Sequence, residues 1–158
     1  MLRPGLLRGV TTESGLVIRR ASAADLGRIE RLLIADSLPL EGVAQALPGF
    51  VVAEDGENIV GAVAVESCGE YGLLRSAVVD ANARNHGIGR QLVERAIDSA
   101  RRQNLKGLYL LTTTAENYFP LFGFEVTNRE DAPDSIRQTS EFTSACPASA
   151  TLMKLDLE

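Results

Sequence analysis

A chain of 158 residues has room for one hydrophobic core of ordinary size. Apolar residues make up 45% and charged residues 23%, the usage of a folded globular domain, which excludes a disordered chain or a disulfide scaffold. The formal charge of −5 argues against a general nucleic-acid binder, whose affinity rests on clustered Lys and Arg, so any phosphate site must be local.

In chain order, residues 16–20 form a short β-prone run. Ser22 is placed to cap a helix, with Asp25 three residues on. Leu26, Ile29, Leu32 and Leu33 supply the apolar stripe of an amphipathic helix that ends near Ala35. Pro39 breaks that pattern, residues 40–47 are expected to form a second short helix, and Pro48-Gly49 ends it. Residues 50–54 and 59–65 read as an antiparallel hairpin across Asp55-Gly56-Glu57-Asn58. Residues 71–79 are largely apolar with Arg75 and Ser76 inside, as in a central strand that carries polar groups where a site opens. Ile88, Leu92, Val93, Ala96, Ile97 and Ala100 recur at helical spacing and predict a long packed helix. A strand over 107–111 is turned by Thr112-Thr113-Thr114, and residues 115–122 are expected to form a short helix before Gly123. Residues 124–127 and 150–157 read as closing strands, and the polar stretch 128–149 between them as a long loop of the kind that often carries function. Strands outnumber helices and a hairpin precedes the βα units, so the expected architecture is α/β (α+β): a mixed sheet with helices on both faces.

The most informative segment runs from Val78 to Arg90, leading from the apolar strand into the long helix with Gly87 and Gly89 where the helix begins. A helix N-terminus offers unpaired N–H groups and the positive end of a dipole, and residues without Cβ let a pyrophosphate approach the backbone. Arg84 and Arg90 add positive charge there. On the glycines alone, a tight strand-to-helix turn explains the segment equally well. A dinucleotide fingerprint is disfavoured because Leu92 stands where its third Gly or Ala belongs, and no Gly-Lys-Ser/Thr follows to make a P-loop.

Arg84-x-x-Gly87-x-Gly89, with Val79 five residues before Arg84, resembles the R/Q-x-x-G-x-G/A signature of the GNAT acetyltransferases. The resemblance extends from Arg20-Ala21-Ser22 to Gly123-Phe124, the family's closing Gly-Phe. Residues 108–115, together with Thr139-x-Glu141-Phe142 and Cys146-Pro147, are similar to a GNAT branch encoded with arsenic-resistance genes. The resemblance implies a GNAT-like, mainly antiparallel sheet in which the strands around Val78 and Leu110 splay apart to admit acetyl-CoA, the co-substrate. It also implies that backbone amides at Val78 or Val79 bind the acyl oxygen and stabilise the charge developing there. The loop of Arg84, Asn85, His86, Gly87, Ile88, Gly89 and Arg90 would hold the pyrophosphate, and Asn117 would add a further cofactor contact. An aligned neutral amine attacks the thioester directly, so no enzyme nucleophile is needed. Counting back four residues from Gly123 to the family's usual Tyr reaches Phe119; the neighbouring Tyr118 is the candidate acid for the leaving thiolate, with water or the substrate ammonium as the alternative.

Arg75 interrupts an apolar strand and must reach an opening, a partner or a ligand. If it faces the acceptor pocket, its fork suits a substrate carboxylate or related oxyanion, with Ser76, Arg137 and Glu141 completing the wall, and Arg129 and Thr139 nearby. Glu66 and Glu70 are weaker candidates for deprotonating the amine. His86, the only histidine, reads as a solvated loop residue, and Cys68 and Cys146 form neither a CxxC pair nor a ligand cluster, so no metal is expected. No apolar run approaches the roughly 20 residues of a membrane span. Residues 1–15 lack the pattern of a secretory leader and read as an N-terminal extension to one domain over 16–158 in a cytoplasmic protein. The first functional reading is acetylation of the primary amine of a small molecule, an amino acid or toxic amino-acid analogue in the arsenic-resistance context. A protein Lys or N-terminal acetyltransferase and a non-catalytic acyl-CoA-binding regulatory module are the alternatives. No nucleic-acid or membrane partner is expected, and a homodimer stays open.

Overall fold

The computed structural model describes residues 15–145 and 149–158. Most of the expected extension and Cys146 lie outside those residues. Among the described residues, seven strands form one sheet: β1 (Leu16–Arg20), β2 (Phe50–Asp55), β3 (Asn58–Cys68), β4 (Tyr71–Val79), β5 (Gly107–Thr112), β6 (Glu125–Thr127) and β7 (Thr151–Asp156). Their order is β1-β2-β3-β4-β5-β7-β6, with every neighbouring pair antiparallel except β4 and β5. The helices are α1 (Leu26–Ala35), α2 (Ile88–Arg102) and the single turn α3 (Asp134–Arg137).

Strand alternation divides the core between two faces. Val51, Ala53, Val63, Val65, Leu74, Leu108, Leu110 and Met153 join Leu92, Val93, Ala96 and Ala100 of α2. On the opposite face Phe50, Val52, Ala62, Ala64 and Val78 pack with Ile29 and Leu33 of α1. Leu73, Tyr109 and Leu152 pack there with Ala132 and Ile136 around α3. Helices on both faces and a mixed, mainly antiparallel sheet agree with the sequence reading.

Three expected elements differ. Residues 40–47 form no helix: Gly42 has φ +78°, which interrupts the right-handed path, and one short turn, Leu47–Gly49, precedes β2. Residues 115–122 give only the turn Phe119–Phe122, because Pro120 supplies no N–H to continue a helix from upstream. The stretch 128–149 is no plain loop. Its described part holds short helical turns at Arg129–Asp131 and Glu141–Ala145 around α3, and buries Ala132, Ile136, Thr139 and Glu141 against the sheet.

Two irregularities in β4 open the sheet at its centre. Its pairing with β5 covers only Tyr71–Leu73 against Gly107–Tyr109, after which the strands diverge. Against β3, Ala64 pairs with Arg75 and Ala62 with Val78, so Ser76 and Ala77 together oppose Val63 in a bulge. Ser76 takes φ +57°, a left-handed conformation uncommon for a residue with a side chain.

Candidate acyl-CoA and acceptor site

The divergence of β4 and β5 opens a cavity of about 960 Å³. Arg75 to Val79 line one wall, Leu110 to Thr114 the other, and Arg84 with the start of α2 lies at one end. Among the described residues no strand pairs with the edge of β4 that faces β5 beyond Leu73, so the N–H groups on that edge open onto the cavity. Val79 lies on this stretch with its N–H on the open edge, since the Asp80 N–H donates to Val60 on the β3 side and the amides alternate; the Val78 N–H faces β3.

The α2 end is built from backbone. Gly87 caps the helix at φ +77°, nothing stands within 4 Å of a Cβ built on it, and the first-turn amides of a 15-residue helix follow. A Cβ on Gly89 would lie 3.5 Å from Val79 Cγ2 and 3.6 Å from the Tyr118 hydroxyl, so the space before this turn is open. Arg84 braces the loop: its Nε donates to the Val79 carbonyl (3.0 Å) and its Nη2 to Asp36 at the end of α1 (2.9 Å). Asn85, Gly87, Ile88 and Arg90 also line the cavity. Exposed His86 does not; its Nδ1 lies 3.2 Å from the Ala83 carbonyl. Asn117 is exposed in the turn before Tyr118, away from the lining.

Tyr118 and Phe119 both line the cavity, and Phe119 is also buried in the core. The Phe119 ring stands edge-on to Phe124 at 5.8 Å and to Tyr118 at 5.3 Å. The turn at Pro120 buries the aromatic without a hydroxyl and leaves the one that has it more exposed at the cavity. Burial is the main cause that raises the Tyr118 pKa above its ordinary value, against the lowering effect of Arg90, and this keeps the phenol protonated.

The opposite end is built from side chains. Arg75 is buried at the cavity wall with no exposed side-chain surface. Its Nε donates to Ser76 Oγ (3.1 Å), and its Nη1 to Glu66 Oε1 (3.1 Å) and Ser140 Oγ (3.4 Å). Its Nη2 donates to the Glu41 carbonyl and lies 3.7 Å from Glu141 Oε2. The guanidinium that the sequence reading aims at a substrate oxyanion thus has protein partners at every nitrogen. Gly42 permits this closure, since a Cβ there would stand 2.7 Å from Arg75 Nη1 and 2.6 Å from Ser140 Oγ.

Ser76 and Glu141 join Arg75 in the lining, but Arg137 does not; it is exposed and donates to Asp134 (3.2 Å). Glu70 pairs with Lys106 at the far end of β4, remote from the cavity. The Cys68 thiol is buried and pushed up to about 11, by burial first and then by Glu66, so thiolate chemistry is disfavoured. Sequence reasoning misses Asp36, Ser37, Leu38 and Pro39, which line the cavity after α1. Their one visible signal is Pro39, which reads as a helix stop. Among the described residues no group of His, Cys, Asp and Glu could hold a metal, and no helix is long and apolar enough to cross a membrane.

A sheet parted between two parallel strands, with a glycine-capped helix at the mouth of the opening, is the architecture of an acyl-CoA-dependent transferase. The profile of the Acetyltransferase (GNAT) family matches residues 25–124, and the chain belongs to that family. It is 25% identical over 148 residues to an amino-acid acetyltransferase of Neisseria meningitidis, covering 86% of this chain but 33% of that protein. An amino-acid acetyltransferase of Mycobacterium tuberculosis is 31% identical over 118 residues, covering 68% of this chain and 67% of its own. The chain thus spans about one third of the length of the Neisseria relative. A Mycobacterium tuberculosis protein solved in complex with CoA superimposes with a TM-score of 0.77 at 25% identity, over 90% of this chain and 99% of that one.

Proposed function

We propose that the protein transfers the acetyl group of acetyl-CoA to the primary amine of a small molecule, with amino acids and their analogues as the acceptor class. The observation that carries this reading is the cavity itself, which runs from backbone amides at the α2 end to a closed wall of side chains at Arg75, Ser76 and Glu141. The amino-acid acetyltransferases among its relatives support the acceptor class, and the likeness of residues 108–115 and 139–147 to the arsenic-resistance branch brings arsenic and phosphorus analogues into the same panel. A protein acetyltransferase would need an open peptide groove, whereas Ser140 and the Glu41 carbonyl close on Arg75 at this end.

In this reading, the first-turn amides of α2 and the loop from Arg84 to Arg90 hold the pyrophosphate. The amide that Val79 presents on the open edge of β4 draws charge onto the acyl oxygen as the carbon becomes tetrahedral. The amine forms the C–N bond, the C–S bond breaks with its electron pair on sulfur, and the Tyr118 hydroxyl delivers a proton to that sulfur. Tyr118 is re-protonated by the proton the nitrogen gives up. The test is a thiol-release screen with acetyl-CoA against free amino acids, their phosphorus and arsenic analogues, and a Lys-containing peptide. Release with a free amine and none with the peptide is the expected result; release with the peptide alone would assign the protein to the other acceptor class.

A further inference from the structure

Residues 36–41 leave α1 and run along the cavity between its two arginines. Asp36, Ser37, Leu38 and Pro39 line it, and the Glu41 carbonyl accepts from Arg75 Nη2. At the other end Asp36 Oδ1 accepts from Arg84 Nη2 (2.9 Å), while Arg84 Nε donates to the Val79 carbonyl (3.0 Å). Among the described residues, no other hydrogen bond or ion pair joins residues 36–39 to the loop of residues 84–90. The two anchors differ. Arg75 is buried and keeps Ser76, Glu66 and Ser140 as further partners, whereas Arg84 and Asp36 have 47% and 41% of their side chains exposed.

We propose that Asp36 is a positioning residue for the acceptor: paired with Arg84, it ties residues 36–41 to the loop that takes the pyrophosphate, so that bound acetyl-CoA sets the wall against which the amine is held. This rests on the acetyl-transfer reading, which supplies the two ligands, and adds the link between their sites.

Three features carry the assignment. First, an ion pair this exposed adds little to stability, because both charges stay largely solvated, so its consequence lies in placement. Second, the turn that Asp36 opens is held lightly. Ser37 takes φ +57°, uncommon for a residue with a side chain, and its amide and that of Leu38 bond back to the Ile34 and Leu33 carbonyls of α1 (3.0 and 2.8 Å). Pro39 then has no N–H to donate. Third, Arg84 belongs to the loop that the pyrophosphate orders. The Ile88, Gly89 and Arg90 amides precede the first bond of α2, from the Gln91 N–H to the Gly87 carbonyl (3.1 Å), and are the ones a phosphate can fill. A ligand that orders one partner of an ion pair lowers the cost of ordering the other, so the two sites are coupled through Arg84 and Asp36. The coupling is reciprocal: an acceptor held on residues 36–41 tightens acetyl-CoA by the same factor.

The experiment follows backbone hydrogen exchange, residue by residue, with and without saturating CoA, in the wild type and in Asp36→Asn. In the wild type CoA should slow exchange at Ile88, Gly89 and Arg90, and by roughly 5-fold or more at Ser37 and Leu38, the low end of ordinary coupling between sites. In Asp36→Asn the slowing at Ile88, Gly89 and Arg90 should remain and that at Ser37 and Leu38 should vanish; Asp36→Glu, which keeps the charge, should recover part of it. A loss of local structure alone would instead speed exchange at Ser37 and Leu38 equally with and without CoA. For an amine that is turned over, Asp36→Asn should raise the acceptor KM by roughly the same 5-fold while kcat stays within about 2-fold, the pattern of lost acceptor placement. Exchange at Ser37 and Leu38 that ignores CoA in the wild type, or still responds to it in Asp36→Asn, would overturn the proposal, as would an unchanged acceptor KM. CoA that slows exchange at none of these amides, Ile88 to Arg90 included, would remove the acetyl-transfer reading itself.

Discussion

The two ends of the cavity use different materials. At the α2 end the functional groups are main-chain amides presented by Gly87, Ile88, Gly89 and the open edge of β4, drawn from one continuous stretch of chain. At the Arg75 end they are mainly side chains, from β3, β4 and residues 140–141, joined by the Glu41 carbonyl some 100 residues earlier and held by one guanidinium. A backbone site tolerates change in every side chain that does not block it. A side-chain site depends on each member of its network, and removing the member that carries the charge exposes the rest.

That contrast is broken most severely at Arg75. Arg75→Ala should cost about 3–5 kcal/mol of unfolding free energy, because it leaves Glu66 and Glu141 without their shared cation. Denaturant titration at neutral pH measures the loss; a change within about 0.5 kcal/mol would mark the network as no more consequential than a surface substitution. The α2 end should break in the opposite manner, with binding lost and the fold kept. A Cβ at Gly89 makes only ordinary contacts with Val79 and Tyr118, so Gly89→Val should fold. Acetyl-CoA at ~100 times Kd should stabilise the wild type by about 2.7 kcal/mol, and the variant by almost nothing. Protection retained in folded Gly89→Val would place the pyrophosphate away from this turn.

Tyr118 stands between the two ends and sharpens the comparison. Tyr118→Phe keeps the ring that packs on Phe119 and Phe122 and removes only the hydroxyl, so acetyl-CoA protection should hold while kcat falls by about 10²-fold. An unchanged kcat would leave water or the substrate ammonium as the proton donor.

The same difference in materials explains what is legible in the sequence. Gly87, Gly89 and Arg84 announce themselves because a backbone site needs particular residues at fixed spacing, and the β-rich runs in residues 50–65 and 71–79 mark the strands that frame it. The acceptor end is half legible. Arg75 stands out as a charge inside an apolar strand, but its partners cannot be paired from spacing alone, because Glu66, Glu41 and Glu141 come together only through the fold. Residues 40–47 and 115–122 have the apolar content of short helices; a positive φ at Gly42 and the missing N–H of Pro120 decide otherwise. Tyr118, which caps the short turn Phe119–Phe122, reaches the cavity beside Phe119, and spacing alone does not show which of two adjacent aromatics does so.

The smallest expected effect lies at neither end and serves as the control. Asp25, at the entrance to α1, accepts two bonds from Arg19 (2.8 and 3.0 Å) and one from the Ser22 backbone N–H (2.8 Å). Arg19 also bonds Glu54 on β2, so the cluster ties β1, β2 and α1 together. These contacts, Arg19 first, hold the Asp25 carboxyl down to about 2, against the opposing effect of its burial. A folded-state value below the unfolded one contributes stability that is present in full above about pH 4 and is lost as pH falls through about 2. Asp25→Asn should therefore lower stability at pH 7 by roughly 1–2 kcal/mol, and the gap from wild type should close as pH falls from about 4 towards 2. Acetyl-CoA protection and acceptor kinetics should match wild type, since neither Asp25 nor Arg19 lines the cavity. Thermal scans of both proteins across that acid range measure the closing gap. A gap that stays constant with pH would mean that the loss came from packing at the start of α1 rather than from the ion pair.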